Sequence, residues 1–143
     1  NQLSLLNPAD ASEALPEAER LGLAYIPFFP LASGLLTGKV RRGEPAPSGT
    51  RVAGWAPGYA AGLLTDATFD RIEALTAFAR ERGRSLLELA FAWLLSQGPV
   101  ASVIGGATSP AQVRANAAAG TWRLDGPDRS ALTAELARLH AVK

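Results

Sequence analysis

An α/β fold with parallel strands is what this sequence predicts, and three observations carry the prediction. Short apolar runs rich in strand formers alternate with longer segments of helical period. Glycine and proline mark nearly every changeover. The runs are apolar throughout rather than alternating, as in strands covered on both faces of a parallel sheet. Strands that alternate with helices require crossover connections, which make neighbouring strands parallel.

The elements follow in order. Residues 3–6 read as the end of a buried strand or its exit loop, and Asn7-Pro8-Ala9-Asp10 as a turn. Residues 12–21 make a short amphipathic helix with Leu15, Ala18 and Leu21 at a spacing of three, and Gly22 supplies a left-handed cap. The run 23–29 is too short for a helix and reads as a strand buried on both sides. Pro27 has no N–H for a sheet ladder and so belongs near the strand's end. Residues 30–62, dense in glycine and proline and carrying Lys39, Arg41, Arg42 and Arg51, form a long basic loop. A loop of that length is functional or disordered.

Thr65 or Asp66 caps a helix over 66–82, with Phe69, Ile72, Leu75, Phe78 and Ala79 on one face and Gly83 at its end. Ser85 caps a helix over 86–97, lined by Leu86, Leu89, Ala90, Trp93 and Leu94 and stopped by Gly98-Pro99. Residues 100–104 form a second β-branched strand. Ser109-Pro110 opens the next helix, with proline at the first helical position, and that helix ends near Gly120. A last helix spans about 127–140. Two full strands leave unpaired edges on both sides. With no methionine in the sequence, this sets the expectation that the chain is a fragment of a larger protein. A small open sheet or an obligate dimer is the alternative.

Composition narrows the function. The chain has 143 residues, 48% hydrophobic and 19% charged, which is globular and not disordered. A net charge of +1 gives no electrostatic drive toward nucleic acid or an anionic membrane. No apolar run is long enough for a membrane span. Without cysteine there is no disulfide framework, which fits a reducing, cytoplasmic setting. The single histidine, His140, makes a transition-metal site implausible.

Two stretches can carry chemistry. In Ile104-Gly105-Gly106-Ala107-Thr108-Ser109-Pro110, small residues admit a ligand close to the backbone, and free N–H groups at the following helix start favour an anion. The alternative is an ordinary strand-to-helix turn. In Phe28-Phe29-Pro30-Leu31-Ala32-Ser33-Gly34-Leu35-Leu36-Thr37-Gly38-Lys39, an aromatic at a strand's end can stack on a flat ring, and the loop beyond offers backbone donors and a lysine. Core phenylalanines and a solvated lysine are the alternative. Trp55 and Tyr59 either pack or line a substrate pocket. No carboxylate pair stands out as a general acid and base.

Together these segments resemble the aldo-keto reductase family. Residues 15–23 look like the helix leading into the seventh strand. Residues 30–39 match the Pro-Leu-x-x-Gly-x-Leu-x-Gly-Lys loop after it. Residues 89–95 resemble the seventh helix, and 104–116 the eighth strand with its phosphate-binding helix. The resemblance implies the C-terminal portion of a (β/α)8 barrel, one partial domain over 1–143 running from the sixth-strand exit through the C-terminal helix. It implies hydride transfer between NADPH and an aldehyde or ketone. Phe28 would stack on the nicotinamide, and Leu31 and Ser33, with the backbone of Phe29, Pro30 and Gly34, would hold the pyrophosphate. Lys39 and Arg51 would fold over the cofactor. Gly106, Thr108 and Gln112 would surround the 2′-phosphate, and Asn116 would contact adenine.

The chain departs from the family pattern in places. Phe29 replaces a phosphate-contacting serine, Thr108 and Ser109 replace a basic residue, and Ala115 replaces an acidic adenine contact. The family's catalytic Asp, Tyr, Lys and His belong to the first half of the barrel, so no catalytic residue is assigned here, and the missing N-terminal half is an expected partner. The alternatives to an enzyme are a non-catalytic NADP-binding regulatory subunit and an inactive fragment.

Overall fold

The computed structural model describes residues 1–141. Three extended segments lie side by side in parallel: Gln2 bridges Phe28, and Tyr25 bridges Val100. The segment around 25–28 is therefore central. On one edge the Phe28 N–H donates to the Asn1 carbonyl at 3.0 Å and the Leu3 N–H to the Phe28 carbonyl at 3.4 Å. On the other the Tyr25 N–H donates to the Pro99 carbonyl at 2.8 Å and the Ala101 N–H to the Tyr25 carbonyl at 3.0 Å.

Neither pairing extends past one bridge, which corrects the expectation of full strands over 23–29 and 100–104. The physical reason lies in the register. A parallel ladder uses every second residue of a strand on each edge. The next donor after Tyr25 would be residue 27, and the next after Phe28 would be residue 30. Both are prolines, without an N–H to donate. Burial on both faces is also corrected. Pro27 is fully buried, whereas Leu23, Ile26 and Phe28 are each more than half exposed, as is Ile104. Ile26 and Phe28 share the exposed side of their segment, opposite Pro27.

Among the described residues the chain forms six α-helices: α1 (Ala14–Arg20), α2 (Pro57–Leu63), α3 (Asp66–Glu81), α4 (Leu86–Leu95), α5 (Pro110–Ala119) and α6 (Gly126–Ala141). Their ends follow local chemistry. Gly22, at φ +64°, closes α1 with a paired cap: its N–H donates to Glu19 at 3.1 Å and the Leu23 N–H to Ala18 at 2.8 Å. Thr65 caps α3 by accepting the Thr68 N–H. Ser85 and Glu88 exchange bonds across the start of α4 in a capping box. Short α2, with Pro57 in its first turn, lies inside the stretch read from sequence as loop, where Gly58 and Gly62 mask the helical signal.

The core is organised on α4, where Leu86, Leu89, Ala90, Phe91, Ala92, Trp93 and Leu94 are buried. It packs against α3, α5 and the turn over 32–37. Arg82 ties α3 to α6: it donates to Asp128 at 2.6 Å and lies 3.5 Å from the Phe78 ring centroid.

His140 of α6 lies 3.4 Å from the Leu5 carbonyl. Burial lowers its pKa from 6.5; the Leu5 carbonyl opposes this, and the charge of Arg71 adds to the lowering. Between the folded value and 6.5 the unfolded chain binds more protons, so this contribution is complete above pH 6.5 and is lost as pH falls through the folded value. Urea unfolding across a pH series should show stability declining below pH 6.5, and His140→Gln should flatten that decline.

Candidate functional site

The chain turns sharply after the central extended segment. Phe29, Ala32 and Ser33 have φ of +53°, +46° and +59°, and Gly34 follows at +101°. Non-glycine residues seldom adopt this conformation, and it persists only where surroundings impose it. Here Leu31, Leu35 and Leu36 are buried beneath the turn. The Ala32 N–H donates to Phe29 at 2.9 Å, the Gly34 N–H to Leu31 at 2.9 Å, and the Thr37 hydroxyl to Gly34 at 2.7 Å. The Ala32 and Gly34 N–H groups are thus committed within the turn and Pro30 has none, which leaves those of Leu31 and Ser33 as the turn's backbone donors for an anion.

That turn forms one wall of a cleft of about 330 Å3, and the start of α5 forms the facing wall. Of the sequence-derived candidates, Phe29, Pro30, Leu31, Ser33, Gly34, Lys39, Arg51, Gly106, Thr108, Gln112 and Asn116 all line it. Residues more than seventy positions apart are thus brought together. Phe28 is not in the lining; it stands half exposed beside Phe29, their ring centroids 5.3 Å apart. Thr37 and Ile104, from the two stretches named above, and Ala115, named as a departure from the family pattern, line it too; Val40, Gly49, Thr50, Val52 and Leu87 also line the cleft and were not singled out from sequence. Leu87 carries no sequence signal, being one apolar residue in an apolar helix. Thr50 and Val52 flank Arg51 and could have been included with it.

At the α5 start the structure corrects one detail. Few N–H groups are free. Pro110 has none, the Gln112 N–H donates to the Ser109 hydroxyl at 3.3 Å, and the Val113 N–H donates to the Ser109 carbonyl at 3.1 Å. The Thr108 N–H and hydroxyl both donate to the Gln112 side-chain oxygen, at 2.7 and 3.1 Å. The anion-binding capacity of this wall therefore rests on the Ala111 N–H, the helix dipole, and donors that Gln112 would have to release. The Asn116 amide donates to the carbonyls of Gly105 and Gly106 at 3.3 and 3.4 Å, bracing the turn from behind.

The cleft's charge is one-sided. Lys39 and Arg51 line it, and no aspartate or glutamate does. Among the described residues neither cation has a carboxylate within ion-pair distance, whereas Arg42, on the same loop, has three. Arg42 reaches Asp66 at 2.8 Å, Glu73 at 2.9 Å, and Asp70, fastening the loop to α3.

A second cleft, of about 370 Å3, adjoins the first and shares Phe29 and Ser33 with it. Trp55 and Tyr59 line it as an edge-to-face pair 5.1 Å apart, together with Gln2, Asn7, Thr68 and Arg71. Trp93 is buried on α4, in accord with packing. Among the described residues no cluster of histidine or carboxylates could hold a metal ion, and no helix is long and apolar enough to cross a membrane.

The two glycines that follow Ile104 have different tasks. A Cβ on Gly105 would lie 2.9 Å from both the Asn116 amide nitrogen and the Phe91 ring, whereas one on Gly106 would meet nothing within 4 Å. Gly105→Ala should cost about 1–3 kcal/mol of stability by overpacking. Gly106→Ala should leave the denaturation midpoint nearly unchanged.

Comparison with known proteins agrees with this geometry. The model of the Aldo/keto reductase family matches residues 1–135. L-glyceraldehyde 3-phosphate reductase of Escherichia coli K12 is 37% identical over 119 residues, which is 79% of this chain and 33% of that protein. A probable voltage-gated potassium channel subunit beta of Oryza sativa subsp. japonica is 41% identical over 106 residues, 73% of this chain and 32% of that one. The structure of a glycerol dehydrogenase from Gluconobacter oxydans matches with a TM-score of 0.72 at 28% identity, covering 96% of this chain and 41% of its own. The chain spans about a third of the length of these curated relatives. A family model matched from the first extended segment into α6, over a backbone that follows a solved member of comparable local sequence, places the chain in the aldo/keto reductase family.

Proposed function

We propose that this chain is the C-terminal portion of a (β/α)8 reductase and provides most of that enzyme's grip on NADPH. The observation that carries the reading is the first cleft: two cations without carboxylate partners and no acidic side chain in the lining. Phosphates are the ligands such a wall selects. An acidic residue that would favour a free ribose diol and repel a 2′-phosphate is missing from the lining, which favours NADPH over NADH.

In this reading the bound nicotinamide supplies the hydride for an aldehyde or ketone, and the protein positions and shields it. Phe28 offers a flat apolar face at the cleft's edge. The turn from Phe29 to Gly34 and the Arg51 guanidinium hold the phosphates, with Lys39 adding charge. Gly106 gives close backbone approach, Thr108 and Gln112 present polar groups to the ribose phosphate, and Asn116 keeps that wall in place while facing the base. The proton donor comes from the N-terminal half of the barrel, whose strands would cover the exposed Leu23, Ile26, Phe28 and Ile104. Similarity to the channel subunit supports a second reading, a nucleotide-binding regulatory subunit. Turnover of a simple aldehyde separates the two.

Calorimetric titration of the protein carrying this segment should give tighter binding of NADPH than of NADH. Arg51→Ala should weaken NADPH about tenfold, the effect of losing one charge-assisted hydrogen bond. Equal affinity for the two nucleotides would remove the NADPH preference. Absence of binding by either would remove the reading itself.

A further inference from the structure

The second cleft is lined by an aromatic pair and a guanidinium, and the guanidinium's bonding is incomplete. Arg71 is partly buried, and its Nε donates to the Leu139 carbonyl at 3.2 Å. Among the described residues no carboxylate lies within ion-pair distance of its terminal nitrogens, although Arg42, Arg82 and Arg84 elsewhere on or beside α3 all have such partners. A half-desolvated cation without a counter-charge is costly to keep. Arg51 in the first cleft also has no carboxylate partner among the described residues, but it is exposed, so the desolvation cost falls on Arg71. Trp55 and Tyr59 add apolar area beside Arg71, and Asn7 and Thr68 add polar groups. A mostly apolar wall with a few convergent polar groups is the general form of a small-molecule pocket.

We propose that this second cleft holds the substrate, and that Arg71 selects carbonyl compounds bearing an anionic group, a carboxylate or a phosphate, remote from the reacting carbon. The assignment rests on the reductase reading above: Phe29, shared by both clefts, has its ring centroid 5.3 Å from that of Phe28, the proposed nicotinamide platform, so this pocket adjoins that end of the cofactor. The planar guanidinium pairs with either anion through two parallel hydrogen bonds. The Trp55–Tyr59 pair packs against the intervening carbons. Arg71 is thereby a specificity-determining residue, with no part in the transfer of hydride or proton.

The test compares matched substrates in the full-length enzyme: succinic semialdehyde against butanal, and glyceraldehyde 3-phosphate against glyceraldehyde. At least one charged member should be favoured in kcat/KM by about ten- to hundredfold, the worth of a charge-assisted pair. The pair that shows the preference identifies the anion. Arg71→Gln should bring that ratio close to one, and Arg71→Lys should restore part of it. Ratios near one in the unmodified enzyme overturn the proposal, and that result stands even where Arg71→Gln does not fold. A loss of NADPH affinity in Arg71→Gln as large as the loss of selectivity also overturns it, because the cation then serves the cofactor. Should no aldehyde be reduced at all, the reductase reading fails separately. Quenching of tryptophan fluorescence by succinate or inorganic phosphate then decides the subsite: Arg71-dependent quenching upholds it, and no quenching removes it.

Discussion

The turn from Phe29 to Gly34 is the constraint on which the rest of the molecule depends. Four residues within six positions sit at positive φ, three of them with side chains. Each such non-glycine residue costs on the order of 1–3 kcal/mol. The cost is offset locally. Leu36 is fully buried and Leu31 and Leu35 nearly so, and full burial of one leucine is worth about 1.5–3 kcal/mol. Because those leucines pack into the same core as α4, the turn is as firm as that core. Phe29 and Ser33 end up on the wall between the two clefts. A relaxed turn would merge or collapse both.

Much of this was legible in the sequence wherever the controlling chemistry is local. Ser85 with Glu88, Ser109 with Pro110, and Gly22 announce their helix ends because a cap is decided by a few adjacent residues. The first cleft was legible through a motif, since residues 30–39 and 104–116 carry their type at fixed spacing. The single-bridge sheet was readable in part. Pro27 was recognised as unable to donate, but the equal role of Pro30 on the opposite edge appears only once the register with Asn1 and Leu3 is known. Helix α2 was hidden by its glycines, which lower helical propensity, although Pro57 at its start is a favourable helix opener.

The second cleft was not legible, and the reason is distance along the chain. Its walls come from the first residues, the turn at 29–35, the segment at 55–63, and Thr68 and Arg71 of α3. No local pattern joins these pieces. Arg71 reads in sequence as one more charge on an amphipathic helix, flanked by Asp70 and Ile72. Its significance is a matter of partners: a carbonyl at one nitrogen and no carboxylate at the others among the described residues. Trp55 and Tyr59 raised the idea of a pocket, but they could not say what it would recognise.

The distribution of ion pairs also explains how a ligand could enter the first cleft. The loop that follows Lys39 and carries Arg51 is anchored at both ends by buried valines, Val40 and Val52. Between them every residue is exposed or only partly buried, and the fastening to α3 is made by Arg42 with three largely exposed carboxylates. Exposed pairs contribute little in high dielectric and weaken further with salt. The anchors therefore belong to the core, whereas the middle of the loop is held only by its surface contacts. A loop built this way can lift between fixed ends without disturbing Val40, Val52 or the turn beneath them. It can then close as Arg51 gains the negative partner that the cleft itself does not provide.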